Sequence, residues 1–405
     1  MTDTTPARPP APVPLRRTAL HPFHVRLGAK LVPFNGWEMP LYYASILEEH
    51  RAVRESAGLF DVGHMGIVTV SGAHAADLLA RRTTANVGRI APGQCRYTFL
   101  TEFNGAILDD LLTTRLDDHD PLAVQFLVVP NAGRAGKVVE ILGEHRRPDT
   151  EVAVHNDAVT ILAVQGPRSR AILEEMFGWS LGELKFYTGR WFPAAAGSDL
   201  PPTGRLGRRF PGGLGDAYFV SRTGYTGELG YELFVPGPAA VALADRLVAA
   251  GVRPAGLGAR DTLRLEKGYL LSGQEFNRDR TPIEAGQDRF VDLDHPFVGR
   301  DPIAAQARDG PAVRLVGLTV TEPGAIPRHG TPVIAEGALV GHATSGGLSP
   351  TLGYGIALAY LPPALTPPGT TVALEIRGRP VPATVVALPF LAAAGGRRAY
   401  TPPAP

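Results

Sequence analysis

Two adjacent carboxylates, Asp109 and Asp110, stand inside the run YTFLTEFNGAILDDLLTT (residues 97–114), among mostly apolar neighbours. An ionised carboxylate on an apolar face is costly unless it is paired or hydrogen-bonded. Asn104-Gly105 between two alternating segments marks a β-hairpin, because a two-residue type I′ turn needs positive φ twice. Such a turn pairs Phe103 with Ala106, Thr101 with Leu108, Phe99 with Asp110 and Tyr97 with Leu112. Side chains alternate across a strand, so Tyr97, Phe99 and Asp110 then share a face. That makes Asp110 the candidate catalytic carboxylate, in a pocket walled by Tyr97 and Phe99. Asp109 points the other way in this register, beside Ile107 and Leu111, with Arg115 in reach. The alternative is that Asp110 caps a loop or meets a buried arginine.

Two further stretches carry chemistry. In SRTGYTGELGYEL (residues 221–233) Glu228 stands at the exit of a glycine-rich turn. Close glycines let a backbone approach a ligand, and a carboxylate there accepts two neighbouring N–H donors; a plain turn with an exposed glutamate is the alternative. In PAGLGARDTLRLEKG (residues 254–268) Arg260 and Asp261 fall in the first turn of a helix. A cation there opposes the helix dipole, so Arg260 either pairs with Asp261 or binds an anion beside the helix amides. His64, in LFDVGHMG, has no second histidine or carboxylate at metal spacing and reads as a packed or solvent-facing side chain.

The elements that must position these residues follow from the pattern. Ser45-Ile46-Leu47-Glu48 is a capping box for a helix that Gly58 stops. Residues 75–82 form a short helix, 123–130 and 159–165 are strands, and Asn131 is the N-cap of a helix over 132–145. Gly166-Pro167 opens a helix that ends at Gly178. Strand, helix, antiparallel hairpin and helix in this order predict an α+β fold. From about residue 290 the texture changes to short, turn-separated β segments at 313–320, 331–334, 338–344, 354–359, 371–376 and 382–388, as in an all-β barrel or roll.

Composition narrows the function classes. The 405 residues allow two or three domains. Forty basic against 39 acidic residues leave a net charge of +1, with no footprint for nucleic acid or a membrane surface. The single cysteine, Cys95, excludes an intramolecular disulfide and a thiolate metal cluster. With no targeting segment in view, it points to a bacterial-type cytoplasm. No glycine-rich phosphate loop follows a predicted strand, so a nucleotide site is unsupported. Residues 1–17 read as a Pro-rich disordered arm. The Pro/Gly/Arg-rich residues 193–215, with Arg205, Arg208 and Arg209, read as a surface excursion.

The strings LGAKLVPFNGWEMPLYY, LFDVGHMG, NGAILDDLL, SRTGYTGELGYEL, PAGLGARDTLRLEKGYLLSGQE and TSGGLSPTLGYGIALAY occur in order. Together they resemble the aminomethyltransferase family, the T-protein of the glycine cleavage system, from about residue 18 to 390. The resemblance implies a three-domain cloverleaf around a central folate pocket. Its first α+β domain would hold residues 18–58 and 150–252, its second residues 59–149 and 253–288, and its β-barrel-like domain residues 289–405. It implies transfer of a one-carbon unit from the S-aminomethyl-dihydrolipoyl arm of the H-protein to tetrahydrofolate as co-substrate, with no metal. Ammonia is released and 5,10-methylenetetrahydrofolate formed. It makes Asp110 the essential aspartate, Glu228 the residue on the pterin edge and Arg260 the folate-binding arginine. Tyr97, Asn131 and Met65 fall at matching pocket positions, and Tyr400 is a candidate folate contact near the C-terminus. Departures are Ala106 where a second glycine is common, Gly63 in place of a serine, and Gln287-Asp288-Arg289-Phe290 without the usual tryptophan. Relatives of the fold include folate-dependent demethylases of methylated amines and a folate-binding maturation protein. The flavin fingerprint that typically accompanies the demethylases, and the KGCYxGQE cysteine of the maturation protein, are both missing here.

Overall fold

A computed structural model describes residues 14–116, 124–193 and 217–391. Three sheets organise the chain. The first has six strands in the order Gly189–Pro193, Ala217–Ser221, Gly230–Pro236, Val159–Gln165, Gly58–Asp61 and Arg253–Pro254. The second has five antiparallel strands in the order Cys95–Thr101, Ile107–Arg115, Gln125–Val129, Val68–Ser71 and Glu151–Val154. The third closes into a six-stranded antiparallel barrel, Arg314–Val320, Gly355–Leu361, Ala338–Leu348, Pro332–Ala335, Thr371–Ile376 and Arg379–Val386. The architecture is the expected α+β one, with the barrel's six segments where the turn spacing put them. Gly58–Asp61 lies wholly in the first sheet, and Glu151–Val154 in the second.

Val159–Gln165 is buried along its whole length, as a central strand covered on both faces must be. On one side Leu162 and Val164 pack with Ile172, Leu173, Leu243 and Leu247 of the helices Ser169–Phe177 and Ala240–Ala249. On the other, Ile161 and Ala163 pack with Ala259 and Leu263 of the helix Leu257–Lys267. Each fully buried aliphatic side chain stabilises by roughly 1.5–3 kcal/mol. Gly178 and Gly268 end their helices in the left-handed conformation.

Several local expectations change. Asn35-Gly36 makes the tight turn with two positive φ values, 46° and 82°, pairing Phe34 with Trp37. At Asn104 only Gly105 has positive φ. Its N–H bonds Glu102 O at 2.9 Å, and Glu102 N–H bonds Ala106 O at 2.9 Å, which makes a three-residue loop. The slip pairs Thr101 with Ile107 rather than Leu108, so Ile107 joins Phe99 and Leu108 packs beside Leu100 and Leu111. Ser45 is an N-cap without a side-chain bond. Glu49, not Glu48, reaches back, accepting the N–H groups of Tyr43 and Ala44 and, through Oε2, that of Gly256. Gly58 lies in a strand rather than at the helix end. Residues 1–13 and most of 193–215 lie outside the described residues, whereas Arg16 bridges to Trp37 with its guanidinium 4.1 Å from the indole. Among the described residues no helix is long and apolar enough to cross a membrane.

Candidate functional site

A cavity of ≈ 900 Å³ lies where the three sheets meet. Tyr97 and Asp110 come to it from the five-stranded sheet, Glu232 from the six-stranded sheet, Arg260 from the helix Leu257–Lys267, and Leu315 and Val386 from the barrel.

Asp110 sits opposite Phe99 and Tyr97 opposite Leu112, in the expected register. The Tyr97 hydroxyl donates to Asp110 Oδ2 at 2.7 Å, and Asn131 Nδ2 donates to Asp110 Oδ1. Burial, the largest effect, raises the proton affinity of Asp110, and these hydrogen bonds oppose it. Asp109 does not meet Arg115, whose Nη1 donates instead to Ile90 O. It accepts Asn131 Nδ2 at 2.7 Å and the Asn131 backbone N–H at 3.1 Å. Burial and the neighbouring Asp110 charge raise its proton affinity as well. Asn131 is therefore no helix cap: the helix runs Ala135–Glu144 with Arg134 at its N-cap, and the amide serves the two carboxylates.

Glu228 is placed elsewhere. Its Oε1 lies 3.1 Å from Arg54 Nη1, and it is not among the residues lining the cavity. Glu232 takes the wall position, accepting the Thr223 hydroxyl, which in turn bonds Ser221 Oγ at 2.7 Å. Burial raises the Glu232 carboxyl above its ordinary range, with the Arg260 charge opposing. The signal for Glu232 was the strand alternation itself: Gly230 and Glu232 share a face while Leu229, Tyr231 and Leu233 take the other. The glycines of the turn admit a protein side chain. A Cβ at Gly224 or Gly230 would lie 2.0 or 2.3 Å from the Gln165 amide, which is buried beneath the turn and donates to Thr223 O at 3.1 Å.

Arg260 lines the cavity with its guanidinium 4.6 Å above the Tyr225 ring. It does not pair with Asp261, which binds Arg264 Nε at 2.8 Å. The helix that carries Arg260 is clamped to the barrel by two buried charges. Arg264 donates to Glu275 at 3.1 Å and to Ser345 at 2.7 Å. Glu266 accepts Arg54 at 2.6 Å, Ser349 at 2.5 Å and the Thr351 N–H at 3.0 Å. The hydrogen bond and charge of His50, the Arg54 charge and the Ser349 hydrogen bond hold the Glu266 carboxyl down at about 2 against the cost of its burial.

Met65 lines the cavity, its carbonyl held by Asn156 Nδ2 at 2.7 Å. His64 is packed, as expected, and also lines the cavity; burial lowers its pKa to about 4, so the ring is neutral near pH 7. Tyr400 lies outside the described residues.

Comparison with known proteins adds to this geometry. Residues 20–199 and 214–295 match the family described as GCVT N-terminal domain, and residues 314–391 match the Glycine cleavage T-protein C-terminal barrel domain. The chain is similar to the aminomethyltransferase of Streptomyces coelicolor, 44% identical over 93% of this chain and 97% of that one. It is also similar to the probable aminomethyltransferase of Natronomonas pharaonis, 43% identical over 93% and 99%. The crystal structure of glycine cleavage system aminomethyltransferase T from Bartonella henselae superposes with a TM-score of 0.82 at 32% identity, covering 93% of this chain and 98% of that one.

Proposed function

Because the chain belongs to the aminomethyltransferase family of glycine cleavage T-proteins, we propose that it moves the one-carbon unit of an S-aminomethyl-dihydrolipoyl arm, carried by the H-protein, onto tetrahydrofolate. Ammonia is released and 5,10-methylenetetrahydrofolate formed. The observation that carries this reading is Asp110, held by Tyr97 and Asn131 in the wall of the central cavity.

The residues present fit a reduced folate. A cavity of ≈ 900 Å³ is of a size for it. Tyr97 and Phe290, with ring centroids 4.7 Å apart, give a flat ring system apolar walls. Glu232 is the carboxylate placed to read adjacent pterin N–H donors, the role the resemblance gave to Glu228. Arg260, with Arg96, Lys185, Lys267 and Arg289 on the same lining, complements the carboxylates of a folate tail.

Tetrahydrofolate supplies the two nitrogens that take up the methylene carbon. Asp110 supplies negative charge where that carbon becomes iminium-like, pre-oriented by its hydrogen bonds. Tyr97 and Asn131 fix its orientation before the reactants arrive, so little reorganisation is needed during transfer. In this role Asp110 orients and stabilises and need not be a nucleophile. The reading places the reaction in the cytoplasm, with which the buried, unreactive Cys95 thiol, pushed up to about 12 by burial, is compatible.

The test is one assay with purified protein, tetrahydrofolate and aminomethyl-loaded H-protein. Ammonia and methylenetetrahydrofolate are expected to appear together and to collapse with Asp110→Asn. Folate binding without ammonia would overturn the reading and make methylated amines the next substrates to try.

A further inference from the structure

Consecutive side chains on a strand leave opposite faces, yet Asp109 and Asp110 reach one amide. Asn131 Nδ2 lies 2.7 Å from Asp109 Oδ1 and donates also to Asp110 Oδ1, and the Asn131 backbone N–H lies 3.1 Å from Asp109 Oδ2. The register explains the meeting. Leu112 pairs with Val129, so Asn131, just past the end of that strand, falls level with Asp110, and its amide spans the sheet edge to both carboxylates. Asp109 is 2% exposed. The cation that faces it is Arg134, and among the described residues the two form no ion pair. An amide NH2 has two hydrogens and cannot neutralise two adjacent charges. Like charges this close do not both ionise easily.

We propose that Asp109 is a positioning residue for the transfer: held beside Asp110 by the common donor Asn131, its charge makes the pair hold one proton between them, and the pair is the relay for the protons released as the new C–N bonds form. This rests on the proposed aminomethyl transfer. Two N–H protons are lost as two C–N bonds form. One ends on the lipoyl sulfur as the C–S bond breaks, and the other on the departing ammonia as its C–N bond breaks, each leaving group keeping its bonding pair. The sum needs no oxidant and no outside acid. Asp110, which faces the cavity, takes and returns the proton, and buried Asp109 sets how tightly the pair holds it. The other titratable groups facing the pair are Tyr97 and Tyr225, both kept protonated by burial, and Arg134.

The experiment is carbonyl NMR of protein labelled at the aspartate carboxyl carbon, titrated without substrate, for the native chain, Asp109→Asn and Asp110→Asn. The pH profile of transfer is measured alongside. The native pair should titrate in two separated steps, the upper one near neutrality, and each substitution should leave a single step below that upper one, still raised above the ordinary carboxylate range by burial. In Asp109→Asn the acid limb of kcat/KM should move down by about one pH unit or more, with folate affinity changed by less than about threefold. Two aspartates titrating independently in the native chain would overturn the inference, as would an upper step and acid limb unchanged in Asp109→Asn. If Asp109→Asn does not fold, the native and Asp110→Asn titrations decide by themselves. Two-step titration in a protein that transfers nothing would overturn the functional reading while leaving the shared proton in place.

Discussion

Arg54 Nη1 lies 3.1 Å from Glu228 Oε1, and the same guanidinium reaches Glu266 at 2.6 Å, so Glu228 is bound to a structural ion network and not to the cavity. Glu232, four residues on, faces the cavity with Thr223 as its donor. The two glutamates therefore separate by mutation. Glu232→Gln should weaken folate binding roughly tenfold to a hundredfold, the loss of charge-assisted hydrogen bonds worth about 1.5–3 kcal/mol. Glu228→Gln should leave it within about twofold. Equilibrium binding of tetrahydrofolate to both variants checks this, and equal losses would return the pterin role to Glu228.

Asp110→Asn keeps the shape of the site, because an amide can accept from Asn131 and donate to the Tyr97 oxygen. Turnover should fall by about 10²–10³, as when a preorganised electrostatic group is removed, with folate binding little changed. Lost binding with normal single-turnover chemistry would count against the assigned role.

The same substitution has a signed effect on stability. The Asp110 carboxyl is raised in the folded chain, mainly by burial, so the native state loses stability as pH rises through its folded pKa. Asp110→Asn should melt above the native chain at pH 8, and the difference should close below the ordinary carboxylate range. Calorimetry across pH measures it.

Glu266 has the opposite sign. Its carboxyl is lowered from 4.5 to about 2 by its hydrogen bonds and the charges of His50 and Arg54, so its stabilisation is present above pH 4.5 and lost as pH falls through about 2. Glu266→Gln should cost about 3 kcal/mol at pH 7 and progressively less below pH 4.5. Denaturant unfolding at pH 7 and pH 3 tests both halves of the statement.

At Gly63, where the resemblance expects a serine, the space is taken. A Cβ at position 63 would lie 2.2 Å from Thr160 Oγ1, a buried hydroxyl without a hydrogen-bond partner. Gly63→Ser should destabilise by about 1–3 kcal/mol, and adding Thr160→Ala should recover much of that. A double-mutant cycle with no coupling would show that the two positions are independent.

The sequence by itself determined the barrel strands, the helix that ends at Gly178, the strand Val159–Gln165 and the pairing that puts Tyr97 and Asp110 on one face. These depend on period and turn chemistry within a few residues. Tertiary structure decided the rest, because it joins residues whose separation no local period encodes. Asn131 reaches Asp110 across 21 positions, and Arg54 reaches Glu228 across 174. Alternation placed Asp109 and Asp110 on opposite faces, and only the end of a neighbouring strand brought one amide to both. The same dipeptide gave a tight turn at Asn35-Gly36 and a wider loop at Asn104-Gly105. A dipeptide sets which φ values are allowed, whereas packing around it, here of Gly105 against Ile303 and Gly299, selects among them.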